Sequence, residues 1–174
     1  MQCDRCGGEE FTRAGRDRQA RQLYRCRACG RRLTTRSSSA FNGYRFPDDI
    51  IALAVRWYLR FRLPYADVAE LLAERGVHVD PSTIFDWVQH FTPLYQEAAR
   101  SRRRGVGLQW SIDETYIRFQ TLPCAQVVCA GHGFMRNLRN GFYDLGVGCG
   151  DGQLPQAPRL VRAWDELTIA LAAA

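Results

Sequence analysis

The sequence predicts an α+β chain that is mostly α: a small zinc ribbon, then a helix-turn-helix unit, then a third part that opens on a strand. Three observations carry this. Two Cys-x-x-Cys pairs lie among short strand-like runs near the N-terminus. Two amphipathic stretches flank a glycine turn between residues 64 and 91. A run rich in β-branched and aromatic residues begins at Trp110. The boundaries read 1–40 for the ribbon, 41–99 for the helical unit, 100–109 for a basic linker and 110–174 for the last part.

In the ribbon, Cys3-Asp-Arg-Cys6 and Cys26-Arg-Ala-Cys29 are separated by 19 residues. Each pair places two thiolates on one tight knuckle, and two knuckles together make a tetrahedral four-sulfur site suited to structural zinc. Gly7, Gly8 and Gly30 permit the turns, and Phe11 and Gln22–Arg25 read as short strands. Two disulfides or four free thiols are the alternatives, and no secretory signal supports the disulfides. Forty residues bury little core, so a metal would supply much of the stability.

Charge is unevenly placed. Of a formal net +6, residues 1–45 hold 11 Arg against 4 acidic residues, and the remainder holds 13 Arg against 14. Such localised charge suits a phosphate backbone, with Arg16 and Arg21 among the expected contacts. A solvated basic face is the alternative. There is no Lys; Arg binds phosphate bidentately, but a coding bias toward arginine accounts for its use better.

Residues 34–42 are Ser/Thr-rich and read as a linker. Pro47 opens a helix with Asp48 and Asp49 in its first turn, at the positive end of the dipole. Ile50, Ile51, Ala54, Val55, Tyr58 and Leu59 form its apolar face, and Arg56, Arg60 and Arg62 lie off it. In the next helix Val68, Leu71 and Leu72 share a face, and Gly76 ends it because glycine enters the left-handed conformation without steric cost. Asp80 then reads as an N-cap and Pro81 as the first helical residue. Ile84, Trp87, Val88, Phe91 and Leu94 make the next apolar stripe, leaving Ser82, Thr83, Asp86 and Gln89 facing out. Helix, glycine turn and capped helix is the pattern whose second helix enters the DNA major groove. An ordinary helical hairpin in a core is the alternative. Arg100, Arg102, Arg103 and Arg104 form a second basic cluster, with Arg102 and Arg103 as candidate DNA contacts. Trp110–Phe119 reads as a strand with Asp113 in its middle.

Three blocks now carry a family resemblance. They are Phe41-Asn-Gly-Tyr-Arg-Phe-Pro running into Ile51–Phe61, then Asp67–Ile84, then Trp110 through Asp113-Glu-Thr-Tyr116. The chain resembles bacterial insertion-sequence transposases of the IS-six type, the family that includes the IS twenty-six transposase. The ribbon is similar to one carried by some members. The resemblance implies that Asp113 is the first acid of a DDE triad on an RNase H-like fold holding two magnesium ions. It also implies double-stranded DNA, the terminal repeats of an element, as partner. In two-metal catalysis one ion activates the attacking water or hydroxyl and the other stabilises the leaving oxygen, so clustered carboxylates are needed.

The tail departs from that pattern. Ala125–Gly146 and Trp164-Asp-Glu-Leu167 resemble the family's extreme C-terminal region, so the first catalytic strand is joined near Phe119–Cys124 almost directly to the last helices. The third part reads as a remnant of an RNase H-like domain. Glu114, Asp144, Asp151, Asp165 and Glu166 remain after Asp113, none in a matching motif. Asp165 and Glu166 read as the polar side of a helix with the stripe Leu160, Trp164, Leu167 and Leu171. With few strands left to cover the strand around Asp113, the region after Gly107 is expected to be less ordered than residues 41–99, and the C-terminal helices to pack on the helical unit.

His132, between Gly131 and Gly133, reads as helix-packing or surface, and Cys124, Cys129 and Cys149 lack paired spacing. No phosphate-cradling glycine motif is present. No apolar run approaches a membrane span of roughly eighteen residues and the N-terminus does not resemble a signal peptide, so a cytoplasmic, nucleoid-associated location without membrane partners is expected. The reading is a DNA-binding, catalytically inactive, internally deleted IS-six transposase, acting as a homodimer or with an intact transposase. The alternatives are a zinc-ribbon and helix-turn-helix regulator of transposition or transcription, and catalysis through acids from a partner subunit.

Overall fold

The computed structural model describes residues 2–17, 22–34, 37, 39–104, 121–146 and 156–173. They form two compact units, residues 1–45 with 170–174, and residues 46–169. The predicted strand at Trp110–Phe119, with Asp113, lies outside the described residues, as does Arg21.

The first unit is a three-stranded antiparallel sheet of β1 (Phe11–Arg16), β2 (Gln22–Cys26) and β3 (Arg32–Leu33), in that order. Phe11 lies opposite Cys26, and Tyr24 opposite Leu33. The β1–β2 register slips between Arg13 and Arg16, where Gly15 adopts φ +90° and its carbonyl accepts a 2.8 Å hydrogen bond from Gln22 Nε2. Glycine tolerates that conformation as no other residue does. The buried cluster here is Cys3, Cys26 and Leu33, with Phe11 and Cys29 packed against it.

The second unit contains α1 (Asp48–Phe61), α2 (Tyr65–Ala73), α3 (Pro81–Arg100), α4 (Leu122–Arg139) and most of α5 (Gln156–Ala173). Local chemistry sets the ends. Asp48 and Asp49 occupy the first turn of α1. After α2, the Val77 N–H bonds the Leu72 carbonyl at 3.0 Å and the Gly76 N–H bonds Ala73 at 2.8 Å, with Gly76 at φ +77°. This is the paired hydrogen bonding of a Schellman end, which satisfies carbonyls the helix leaves open. Asp80 caps α3 by accepting the Ser82 N–H at 2.8 Å, with Pro81 next. Hydrogen bonds from Ser82 hold the Asp80 carboxyl below its ordinary value. The end of α1 is different: Arg62 takes φ +58°, alone among described non-glycine residues, a conformation costing roughly 1–2 kcal/mol in a side-chain-bearing residue.

The core joins all five helices. Ile51, Val55, Val68, Leu72, Ile84, Trp87, Val88 and Phe91 are buried across α1–α3. The α5 stripe Leu160, Trp164 and Leu167 is buried as well. Trp164 stacks on Tyr95 at 4.1 Å and donates its indole N–H to the Ala52 carbonyl of α1 at 3.0 Å, satisfying the one polar group of a large apolar ring. Thus α5 packs on the helical unit. So does α4, which contacts α1 and α3. Residues 102–104 pair with 142–144: the Arg104 N–H reaches the Phe142 carbonyl at 2.8 Å, and the Asp144 N–H reaches Arg102 at 2.7 Å. The described part of the predicted linker is therefore held to the strip after α4. No described helix is long and apolar enough to cross a membrane.

The two glycines of α4 have opposite surroundings. A Cβ on Gly131 would lie 2.7 Å from both Leu59 Cδ2 and Thr92 Cγ2, whereas one on Gly133 would meet nothing within 4 Å. Overpacking costs about 1–3 kcal/mol, and Gly to Ala in an exposed helix gains up to about 1 kcal/mol. Gly131→Ala is expected to destabilise the protein and Gly133→Ala to stabilise it. Urea unfolding followed by circular dichroism checks this; shifts of the same sign would show that α4 is not seated on α1 and α3.

Candidate metal centre and nucleic-acid interface

The two Cys-x-x-Cys turns fold alike. The Cys3 carbonyl accepts the Gly7 N–H at 2.8 Å and the Cys26 carbonyl accepts the Gly30 N–H at 2.9 Å, with both glycines at positive φ. Cys3 N–H donates to Gly8 O and Cys26 N–H to Arg31 O, at 3.0 and 2.9 Å. Each knuckle thereby turns its two sulfurs inward. All four sulfurs lie within 4.8 Å of one another, with Cys3–Cys29 at 3.5 Å and Cys6–Cys26 at 3.6 Å. A tetrahedron with metal–sulfur bonds of about 2.3 Å has edges of about 3.8 Å, so the donor set fits a metal such as zinc. Gly8 leaves room at the rim: a Cβ there would come to 3.4 Å from Cys6 Sγ and Cys26 Sγ.

The thiols also show what the cluster lacks as bare sulfur. The Arg5 backbone N–H chiefly draws Cys3 down to about 7. For Cys6 the Gly8 N–H pulls downward, but the sulfurs of Cys29 and Cys26 outweigh it and push the thiol up to about 12. Adjacent thiolates repel, so one ionises at the expense of the next, and a dication removes that conflict.

Around the cluster Arg5, Arg13, Arg16, Arg25, Arg27, Arg31 and Arg32 are exposed. Two face acids, Arg31 with Asp4 at 2.8 Å and Arg27 with Glu10 at 3.7 Å. On α3, Ser82 and Asp86 are exposed and Thr83 is half-buried. The Ser82 hydroxyl also donates to Asp80, at 2.5 Å. Gln89 is half-buried, its amide nitrogen shut away from solvent. Arg102 and Arg103 are exposed. Asp144 is paired with Arg104 at 2.6 Å, Asp165 faces Arg56 at 3.9 Å, and Glu166 accepts the Gly146 N–H at 3.1 Å. Among the described residues the only group of three or more metal-competent side chains is the cysteine cluster.

One feature escaped sequence reasoning. A cleft of about 470 Å³ between α1 and α4 is lined by Arg60, Arg62, His132, Arg136, Arg139 and Asn140 over Leu59 and Met135. Arg60 and Arg62 were legible as lying off the apolar face, but nothing in the sequence linked them to arginines more than seventy residues away.

Comparison with known proteins supplies the context. Over 80 residues the chain is 40% identical to the transposase for insertion sequence-like element IS431mec of Staphylococcus aureus. It is 39% identical, also over 80 residues, to the transposase for insertion sequence element IS257 in transposon Tn4003 of the same organism. The chain is related to the insertion-sequence transposases of the IS-six family. Each match covers 46% of this chain and 36% of the relative, so the chain aligns with only about a third of the curated relatives' length. No family model and no solved structure matches.

Reduced protein is expected to bind one thiophilic dication per chain. Cobalt substitution should give the thiolate charge-transfer band of a tetrahedral four-sulfur site, and Cys26→Ala should abolish it and unfold the sheet of residues 11–33. A folded, fully reduced sample that takes up no zinc or cobalt would overturn the assignment.

Proposed function

We propose that this chain is the DNA-binding portion of an IS-six transposase, with a zinc-bound ribbon, a helix-turn-helix reader, and no strand-transfer activity of its own. The relationship to insertion-sequence transposases carries the reading, because such proteins act on DNA ends. Zinc would act structurally, joining the two knuckles in place of a core. Helices α1–α3 would form the helix-turn-helix unit. The capped start of α3 presents Ser82 and Asp86 to solvent with Thr83 beside them, the placement expected of side chains that meet base edges. Gln89 would have to swing outward to join them. Exposed Arg16 of the ribbon, together with Arg21, and Arg102 and Arg103 would bind phosphates. Terminal repeats of an element are the proposed target, the nucleoid the proposed location, and a homodimer or an intact transposase the proposed assembly.

Asp113 would be a lone survivor of the catalytic triad, in an RNase H-like remnant shortened by internal deletion. The scattered placement of Asp144, Asp165 and Glu166 supports this. The same observation favours a second reading, a regulator that occupies element ends or promoters without cutting them.

Two experiments test these assignments. In the first, sites are selected from a random duplex library. Changing Ser82, Thr83, Asp86 or Gln89 is expected to alter base preference, each good contact being worth about 1–3 kcal/mol. Arg16→Ala or Arg21→Ala is expected to weaken all sequences alike and reduce the salt slope by about 1. Identical sites for wild type and every α3 variant would remove α3 as the reader. The second is a strand-transfer assay with magnesium and matched element ends, expected to yield no product. Product that disappears in Asp113→Asn would refute inactivity and direct attention to acids from a partner subunit.

A further inference from the structure

The arginine cleft between α1 and α4 has no role in the reading above, although it gathers four arginines from two helix ends. Arg60 and Arg62 come from the end of α1, and Arg136 and Arg139 from successive turns at the end of α4. Among the described residues that line it, none is acidic. Arg62, Arg136 and Arg139 are exposed, so their guanidinium groups reach solvent, while Leu59 and Met135 form a buried apolar floor.

Part of this gathering has an ordinary cause: cations are favoured at helix C-termini, where carbonyls point outward. That cause does not explain two details. Arg62 occupies a left-handed position that glycine would take without strain, and strained residues of this kind cluster at functional sites. The cations also oppose one another. Burial and the charge of Arg139 both press the Arg60 guanidinium below its usual value. Guanidinium forks gathered this closely match phosphate oxygens two at a time.

The cleft is also tied to the start of α3. His132 donates its Nδ1–H to the Leu59 carbonyl, 2.9 Å away, and its ring lies 6.0 Å from Tyr58. Tyr58 stacks on Tyr65 at 4.4 Å and 3°, and Tyr65 meets Phe85 of α3 edge-on at 5.6 Å. A continuous row of rings therefore connects the cleft to the residue beside Asp86.

We infer that Arg60, Arg62, Arg136 and Arg139 form a phosphodiester clamp that grips the backbone of the double-stranded DNA whose bases α3 reads. The inference rests on the DNA-binding reading and deepens it by naming a second phosphate surface, separate from the ribbon. The clamp carries no sequence information; it fixes the register of the helical unit on the duplex.

The test uses the full metal-loaded chain and mixed-sequence duplex DNA. Each phosphate contact contributes about 0.9 to the slope of log Kobs against log salt, so Arg136→Ala with Arg139→Ala should lower its magnitude by roughly 1 to 2. Arg62→Gly separates binding from folding. It should leave the melting temperature unchanged or higher, because strain is removed, while weakening DNA binding several-fold. Arg162→Ala, an exposed arginine of α5 outside the cleft, should change affinity less than Arg62→Gly. Wild-type binding with an unchanged slope in the double variant, or an equal loss in Arg162→Ala, would overturn the clamp and leave the DNA-binding reading standing. No DNA binding by wild type would overturn both. If inorganic phosphate raised the wild-type melting temperature but not that of the double variant, with the DNA slope unchanged, the cleft would be a site for a free anion and the clamp would again be overturned.

Discussion

Where α4 crosses α1 and α3, the backbone of Gly131 comes so near Leu59 and Thr92 that no side chain fits between. Much of the helical unit follows from that approach. It brings His132 within 2.9 Å of the Leu59 carbonyl, where burial, and after it the charge of Arg62, holds the imidazole below its ordinary value. It seats Val128, Phe134, Met135 and Leu138 in the core. It also sets Arg136 and Arg139 over the end of α1. Apolar contact is non-directional; the near-backbone contact supplies the registration that apolar burial alone would not.

The residues 1–45 unit is governed by a different constraint. Its buried cluster of Cys3, Cys26 and Leu33 is too small to offset the ordering of its chain. A metal held by the four sulfurs would offset that ordering instead, and the two knuckles repeat the same pair of hydrogen bonds. The arginines outside could then be numerous, since a metal-cross-linked frame would tolerate surface repulsion that loosens a frame held by apolar contact alone.

Features set by neighbours in sequence were legible in advance. The Gly76 turn, the Asp80 cap before Pro81 and the α5 stripe of Leu160, Trp164 and Leu167 each depend on local conformation or helical period, and the structure has them where the sequence put them. The four cysteines were legible because their spacing is itself geometric. Features set by packing partners were not. Helical period turns Gln89 outward, yet the start of α2 covers that flank, with Tyr65 edge-on to Phe85 one turn earlier. Gly131 and Gly133 look equivalent in sequence, and only the proximity of Leu59 and Thr92 distinguishes them. The arginine cleft needs two helix ends to meet, which no periodicity announces.

The sulfur geometry has a chemical corollary. The short separations, 3.5 and 3.6 Å, run between knuckles, Cys3 to Cys29 and Cys6 to Cys26. Oxidant that arrived before a metal would therefore tend to stitch one knuckle to the other, where isolated Cys-x-x-Cys motifs close upon themselves. Such a product would keep the hairpins together while consuming every ligand. The timing of metal delivery relative to air exposure, during synthesis or purification, would then decide between two shapes that resemble each other and differ in whether they can be reversed by a reductant.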